Sequence, residues 1–147
     1  MIIGRDAIAT RIPHAGAMLL LDEVVAFDTD SIACVTMSQQ RPDHPLRHEG
    51  RLPALAGIEY AAQAMALHGA LTSAPGAAPA RSGLLAALRD VTLHVVRLDD
   101  IAAPMIVGAR RIAVDGGRAI YSFTLEAGGQ TLLTGRATVV QITEERK

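Results

Sequence analysis

The sequence predicts an α+β domain in which one long helix covers an antiparallel sheet. Three observations carry this. A single strong helical run, Leu55–Leu71, is rich in alanine and follows Pro53, a residue suited to a first helical position. After it come four segments of strand character: Leu84–Arg97, Pro104–Val114, Ala119–Glu126 and Thr131–Ile142. Asp115-Gly116-Gly117 and Gly128-Gly129 separate the last three, as hairpin turns do. Strands at hairpin spacing pair antiparallel, and one apolar helix of about five turns is then the element available to cover them.

The remaining elements fit this plan. Asp6–Arg11 reads as a short opening helix, ended before Pro13. Met18–Phe27 and Ser31–Met37 read as a strand pair turning at Asp28-Thr29-Asp30. In the long helix, Leu55, Ile58, Ala62, Met65, Ala66 and Gly69 share one face at three- and four-residue spacing. Several are small, so this face is expected to meet the sheet closely. The stretch Thr72–Ser82 holds two prolines and a glycine among small residues and reads as a loop. It is too short for a domain boundary, so residues 1–147 read as a single domain.

Composition excludes several function classes. Fourteen basic residues stand against fifteen acidic ones, and the aromatics are only Phe27, Tyr60, Tyr121 and Phe123. Neither a basic footprint nor stacking platforms for nucleic acid are present. Cys34 is the sole cysteine, so no internal disulfide or cysteine zinc cluster is expected. No apolar stretch reaches the roughly 18 residues of a membrane span, and Met1–Arg11 lacks a signal-peptide core. A cytoplasmic protein is expected.

Glu59 is the first candidate for chemistry. It sits inside the helix beside Leu55, Ile58 and Ala62, where a carboxylate is desolvated unless paired or functional. Gln63, one turn on, is in reach of it. The alternative is that Glu59 stands at the margin of the apolar stripe and reaches water. The segment before the helix, RPDHPLRHEGRLPALAG, is an irregular connection holding His44 and His48. A histidine there can serve as a base near neutral pH; equally, both can be solvated loop residues. Their spacing would suit a metal only on a helix, which Pro45 opposes, so no metal site is expected. His14 reads as a turn residue, His94 as a strand residue, and His68 as lying on the helix side away from the stripe, none of them catalytic. Cys34 reads as a small core residue. No G-x-S-x-G elbow and no phosphate-binding glycine loop occur, and no cofactor is expected.

Ile12-Pro13-His14, then MLLLDEVV, then a helix after Leu52-Pro53 carrying Glu59-Tyr60-Ala61-Ala62-Gln63, resemble the FabA/FabZ-type 3-hydroxyacyl-[acyl-carrier-protein] dehydratases. Within that family, GRLPALAGIEYAAQAMA is most similar to the ApeP-like branch, associated with aryl polyene biosynthesis. The resemblance implies a hotdog fold, a long helix wrapped by an antiparallel sheet, dimerised through sheet pairing. It implies a histidine base that takes the α-proton of an acyl thioester. It also implies a helix carboxylate that protonates the leaving hydroxyl, the two coming from opposite subunits. Glu59 matches the acid and Gln63 the glutamine four residues on. Gln63 and Gly57 are the expected substrate-binding residues. The family's G-H-F-P loop is absent: the histidine position falls on Pro45, next to His44, and Ala54 stands where a glycine follows the helix proline.

The implied function is therefore a dehydratase, or dehydratase subunit, acting on thioesters of acyl carrier protein, with Glu59 and His44 as candidate catalytic residues. The missing histidine motif implies a homo- or heterodimer in which a FabZ-like hotdog subunit completes the site. A non-catalytic acyl-thioester binder or scaffold, and a thioesterase using Glu59 to activate water, are the alternatives.

Overall fold

A computed structural model describes residues 2–12, 16–72 and 82–142. In chain order the elements are β1 (Ile3–Gly4), α1 (Arg5–Ala9), β2 (Glu23–Phe27), β3 (Ser31–Thr36), α2 (Gly57–Leu71), β4 (Ser82–Leu93), β5 (Met105–Asp115), β6 (Arg118–Ala127) and β7 (Gln130–Ile142). The strands form one antiparallel sheet in the order β1-β2-β3-β5-β6-β7-β4, and α2 packs against β3, β4, β5 and β6. This is the expected α+β hotdog arrangement.

The turns follow from their glycines. Gly128 and Gly129, between β6 and β7, adopt φ of 57° and 78°. A two-residue turn with both centres left-handed matches strand twist, and only glycine takes it without cost. Along β6, Tyr121, Phe123, Leu125 and Ala127 are buried on the face turned to α2, and their alternates are half-buried. β3 alternates in the same way.

Three expectations are corrected. The apolar run Met18–Leu21 is not strand; Gly16–Met18 is a 3-10 turn and β2 begins at Glu23. The side chains of Gln63, Thr36 and Ser38 take the polar groups of Leu20, so this segment needs no ladder. β4 ends at Leu93, because residues 94–98 turn to join the approach to α2: Ala54 N–H donates to Val96 O (3.0 Å) and Leu98 N–H to Leu52 O (2.8 Å). The expected loop Thr72–Ser82 lies outside the described residues except at its ends, where Thr72 closes α2 and Ser82 opens β4.

The third correction concerns the buried face of α2. It is Gly57, Tyr60, Ala61, Gln63, Ala64, Met65, Leu67 and His68. Ile58, Ala62, Ala66 and Gly69 are only half-buried, and Leu55 is 61% exposed. The helix is therefore turned relative to the expected stripe. Two stripes with helical spacing exist on this alanine-rich segment, and the one bearing polar tips is inside. Each tip has a partner there, so its burial is compensated.

Candidate active site

Glu59, Gln63 and Gly57 lie in the first two turns of α2. The chain enters these turns through a 3-10 turn, Ala54–Ala56, and the N–H of Gly57 closes that turn on Ala54 O. The α-carbon of Gly57 faces the sheet. A Cβ there would stand 3.1 Å from the side chains of both Leu125 and Leu133, so glycine lets the helix start close to β6 and β7. Asp99 fixes the entry from outside. Its carboxylate accepts the N–H of Leu52 at 2.9 Å and pairs with Arg97, which holds the carboxyl well below its ordinary range.

Gln63 is fully buried and its amide has one orientation. Oε1 accepts the N–H of Leu20 (2.9 Å), so Nε2 faces the carbonyl of Met18 (2.7 Å) and Oε1 of Glu59 (3.4 Å). The glutamine thus ties the 16–22 segment to α2 and points a donor at the half-buried Glu59 carboxylate. Arg5 clamps the same segment through the carbonyls of Leu19 (2.8 Å) and Gly16 (2.7 Å). Thr36 and Ser38 hold Leu20 O at 2.6 and 2.7 Å. Asp22, at the segment's end, accepts Arg41 and the N–H of Met37. A carboxylate held by a partner that is itself locked has a defined direction before substrate arrives.

His44 is placed differently. Its residue is 4% exposed, inside a turn that Arg47 braces by donating to the carbonyls of Arg41 and Gly50. Nδ1 accepts the N–H of Leu46 (3.1 Å), so the ring proton sits on Nε2 and is donated to the Tyr60 hydroxyl (2.9 Å). Tyr60 passes its own proton to Ser38 Oγ (2.7 Å), and Ser38 donates to Leu20 O. Burial, with Arg41 and Arg47 nearby, lowers the His44 pKa below its ordinary 6.5; burial pushes the Tyr60 phenol up to about 12. The imidazole is therefore neutral, with both nitrogens engaged. It is joined to Tyr60, which projects from α2 roughly 100° round from Glu59. The structure brings Gln63 to Glu59, and it brings His44 to Tyr60 and Ser38. His48 is exposed, beside Glu49 at the tip of the connection.

His68, read from the sequence as facing away from the packing side, is fully buried. Its Nε2 donates to Asp28 O (2.9 Å), so Nδ1 accepts from the Tyr121 hydroxyl (2.7 Å). This ring locks the β2–β3 turn to α2, and burial lowers its pKa too. Tyr60, Ser38 and Thr36, which frame the site, were not singled out by sequence reasoning. The available signal was the alternative stripe Gly57, Tyr60, Ala61, Ala64, Leu67 and His68, which has helical spacing of equal quality. His14 lies outside the described residues.

Among the described residues no helix is long and apolar enough to cross a membrane, and no group of three His, Cys, Asp or Glu side chains is placed to hold a metal ion. In fold, the chain is similar to the ApeI:P dehydratase heterocomplex from Xenorhabdus doucetiae, with a TM-score of 0.81 and 21% identity over 93% of this chain and 91% of that one. It is also similar to a thioesterase from Pseudomonas aeruginosa (TM-score 0.62, 15% identity, 97% of each chain). A thioesterase from Haemophilus influenzae is a third relative in fold (TM-score 0.58, 14% identity, 82% of this chain and 78% of that one). No curated protein matches the chain in sequence. The family model of the ApeP dehydratases matches residues 6–147, nearly the whole sequence, and the chain accordingly belongs to the ApeP-like family of dehydratases.

Proposed function

We propose that this dehydratase acts on 3-hydroxyacyl thioesters of acyl carrier protein, in aryl polyene or fatty-acid-like synthesis, as the acid-bearing half of a hotdog pair. Glu59 gives a proton to the leaving 3-hydroxyl. A histidine of a FabZ-like partner takes the α-proton. The C–O bond breaks, the C2–C3 double bond forms, and water leaves with the Glu59 proton. Hydroxide is a poor leaving group and the α-proton of a thioester is weakly acidic, so the step needs an acid and a base on opposite sides of one carbon pair.

The observation that carries this reading is the contrast between two side chains. Glu59 is half-buried and oriented by the locked amide of Gln63. His44 is buried, neutral and committed at both nitrogens, which supports a positioning role in this chain and a base supplied from outside. Gln63 then serves substrate binding through the carboxylate it orients. Gly57 serves it by setting the depth at which α2 begins.

Pairing with a second hotdog subunit is supported by the sheet edge. β4 has β7 on one side and, among the described residues, no strand on the other. Leu88 and Leu93 stand opposite the buried Ala137 and Leu133, on the α2 side of the sheet, yet are 41% and 46% exposed. A long open edge with apolar residues beside it is a pairing surface. The ApeI:P structure, named as a heterocomplex, is consistent with a partner of a second kind.

The test is to assay the chain alone and mixed with a FabZ-like hotdog protein, following a 3-hydroxyacyl thioester and its enoyl product. Interconversion that requires the mixture is expected. Full turnover by the chain alone would refute the divided site, release of free thiol would mean a thioesterase, and inactivity in every mixture would favour a scaffold.

A further inference from the structure

The outer face of the sheet, turned away from α2, carries a cross-strand row of Ser31, Arg110, Ser122, Arg136 and Arg89 on β3, β5, β6, β7 and β4. The three arginines are exposed, whereas Ala109, Phe123 and Ala137, next to the row along their strands, are buried on the other face. Arg136 and Arg89 stand directly opposite each other. Like charges in that relation destabilise a strand pair. Among the described residues none of the three arginines makes an ion pair. Asp90 follows Arg89 in a bulge at φ 53° without an ion pair to it, and Arg110 acts on Asp28 through space without forming an ion pair. The adjacent row is Gly108, Thr124, Thr134 and Thr92, so small residues and hydroxyls border the arginines.

We propose that this row is a docking surface for an acidic helix of a partner protein. A line of arginines with no ion pair among the described residues calls for carboxylates or phosphates, and the spacing fits carboxylates carried on a helix. At about 4.8 Å per strand, Arg136 lies one step and Arg110 three steps, about 14 Å, from Arg89. Glutamates at i, i+3 and i+10 of a helix share one face and are separated by about 4.5 and 15 Å along its axis. A helix laid across the strands therefore sets one carboxylate at each guanidinium. Single-stranded nucleic acid is the poorer fit, because stacking would require rings on this face. Tyr121 and Phe123 of β6 are both buried on the opposite one.

The surface lies on the opposite side of the sheet from Glu59, and its test needs no turnover. A fluorescein-labelled alanine-based helix with glutamates at i, i+3 and i+10 is titrated with the full chain at low salt, followed by anisotropy. A control peptide of identical composition spreads the same glutamates around the helix. The one-faced peptide is expected to bind at least about fivefold more tightly than the control. Arg89→Glu with Arg136→Glu is expected to weaken it about tenfold or more. Arg89→Ser with Arg136→Ser, checked by circular dichroism, gives the same reading if charge reversal disturbs folding. Equal binding of both peptides, unchanged binding by a folded variant, or tighter binding of a single-stranded oligonucleotide of equal charge would overturn the proposal.

Discussion

Replacing Tyr60 by phenylalanine removes one oxygen from the centre of the buried chain His44–Tyr60–Ser38–Leu20. The two bonds lost are the one accepted from His44 Nε2–H at 2.9 Å and the one donated to Ser38 Oγ at 2.7 Å. Ser38 keeps Thr36 Oγ1 at 2.9 Å and Leu20 O, so it remains satisfied. His44 does not, because its proton cannot move to Nδ1 without opposing the N–H of Leu46. One buried donor is left without a partner, which costs about 1–3 kcal/mol. For a domain of this size each kcal/mol lowers Tm by roughly 2–4 °C. Urea denaturation of wild type and Tyr60→Phe, monitored together with Tm, measures the loss. A variant within about 0.5 kcal/mol of wild type would mean that the His44 ring is not locked, and the proposed positioning role of His44 would lose its support.

Three further outcomes are expected. His44 and His68 are both buried neutral, with pKa values below their ordinary 6.5, so the unfolded chain binds their protons first. Stability from these groups is full above pH 6.5 and is lost as pH falls from there through the lowered folded values; denaturation midpoints between pH 8 and 5 check the direction, and His68→Gln should flatten the slope. Gly135→Ala places a Cβ 2.6 Å from the Phe123 ring and 3.1 Å from Val91, and should cost about 1–3 kcal/mol in denaturant melts. Ala64→Leu, on the fully buried face of α2, should cost about 1–3 kcal/mol, while Ala66→Leu, on the half-buried face, should cost less. Equal losses would contradict the observed rotation of the helix.

The order of elements was legible because turns and strands announce themselves locally. Gly128-Gly129 and the β-branched runs around it need nothing beyond their neighbours to be read. The face of α2 was not legible, for a physical reason. Alanine is small enough to belong to either side, and the polar tips of Tyr60, Gln63 and His68 made the buried stripe look wet. Their partners, Ser38, Leu20 and Tyr121, come from distant parts of the chain. The same distance hid the fate of Met18–Leu21, in which Met18 O and both backbone groups of Leu20 are taken by side chains of α2, β3 and the turn after it. Glu59 and Gln63 could be paired from their four-residue spacing alone. That His44 is committed to Tyr60 could not, since loop sequence says nothing about which way a ring turns.

The most direct test of the divided site is a pair of substitutions assayed in the complex with a FabZ-like partner. Glu59→Gln keeps the shape and the neighbour Gln63 but removes the proton to be donated. General acid catalysis contributes about 10²–10⁴-fold, so turnover of the 3-hydroxyacyl thioester should fall by that order while the Tm stays near wild type. His44→Gln should lower stability and leave turnover of the folded complex within a few-fold of wild type. Full activity of Glu59→Gln in that assay, or loss of activity at His44→Gln as large as at Glu59, would contradict the account.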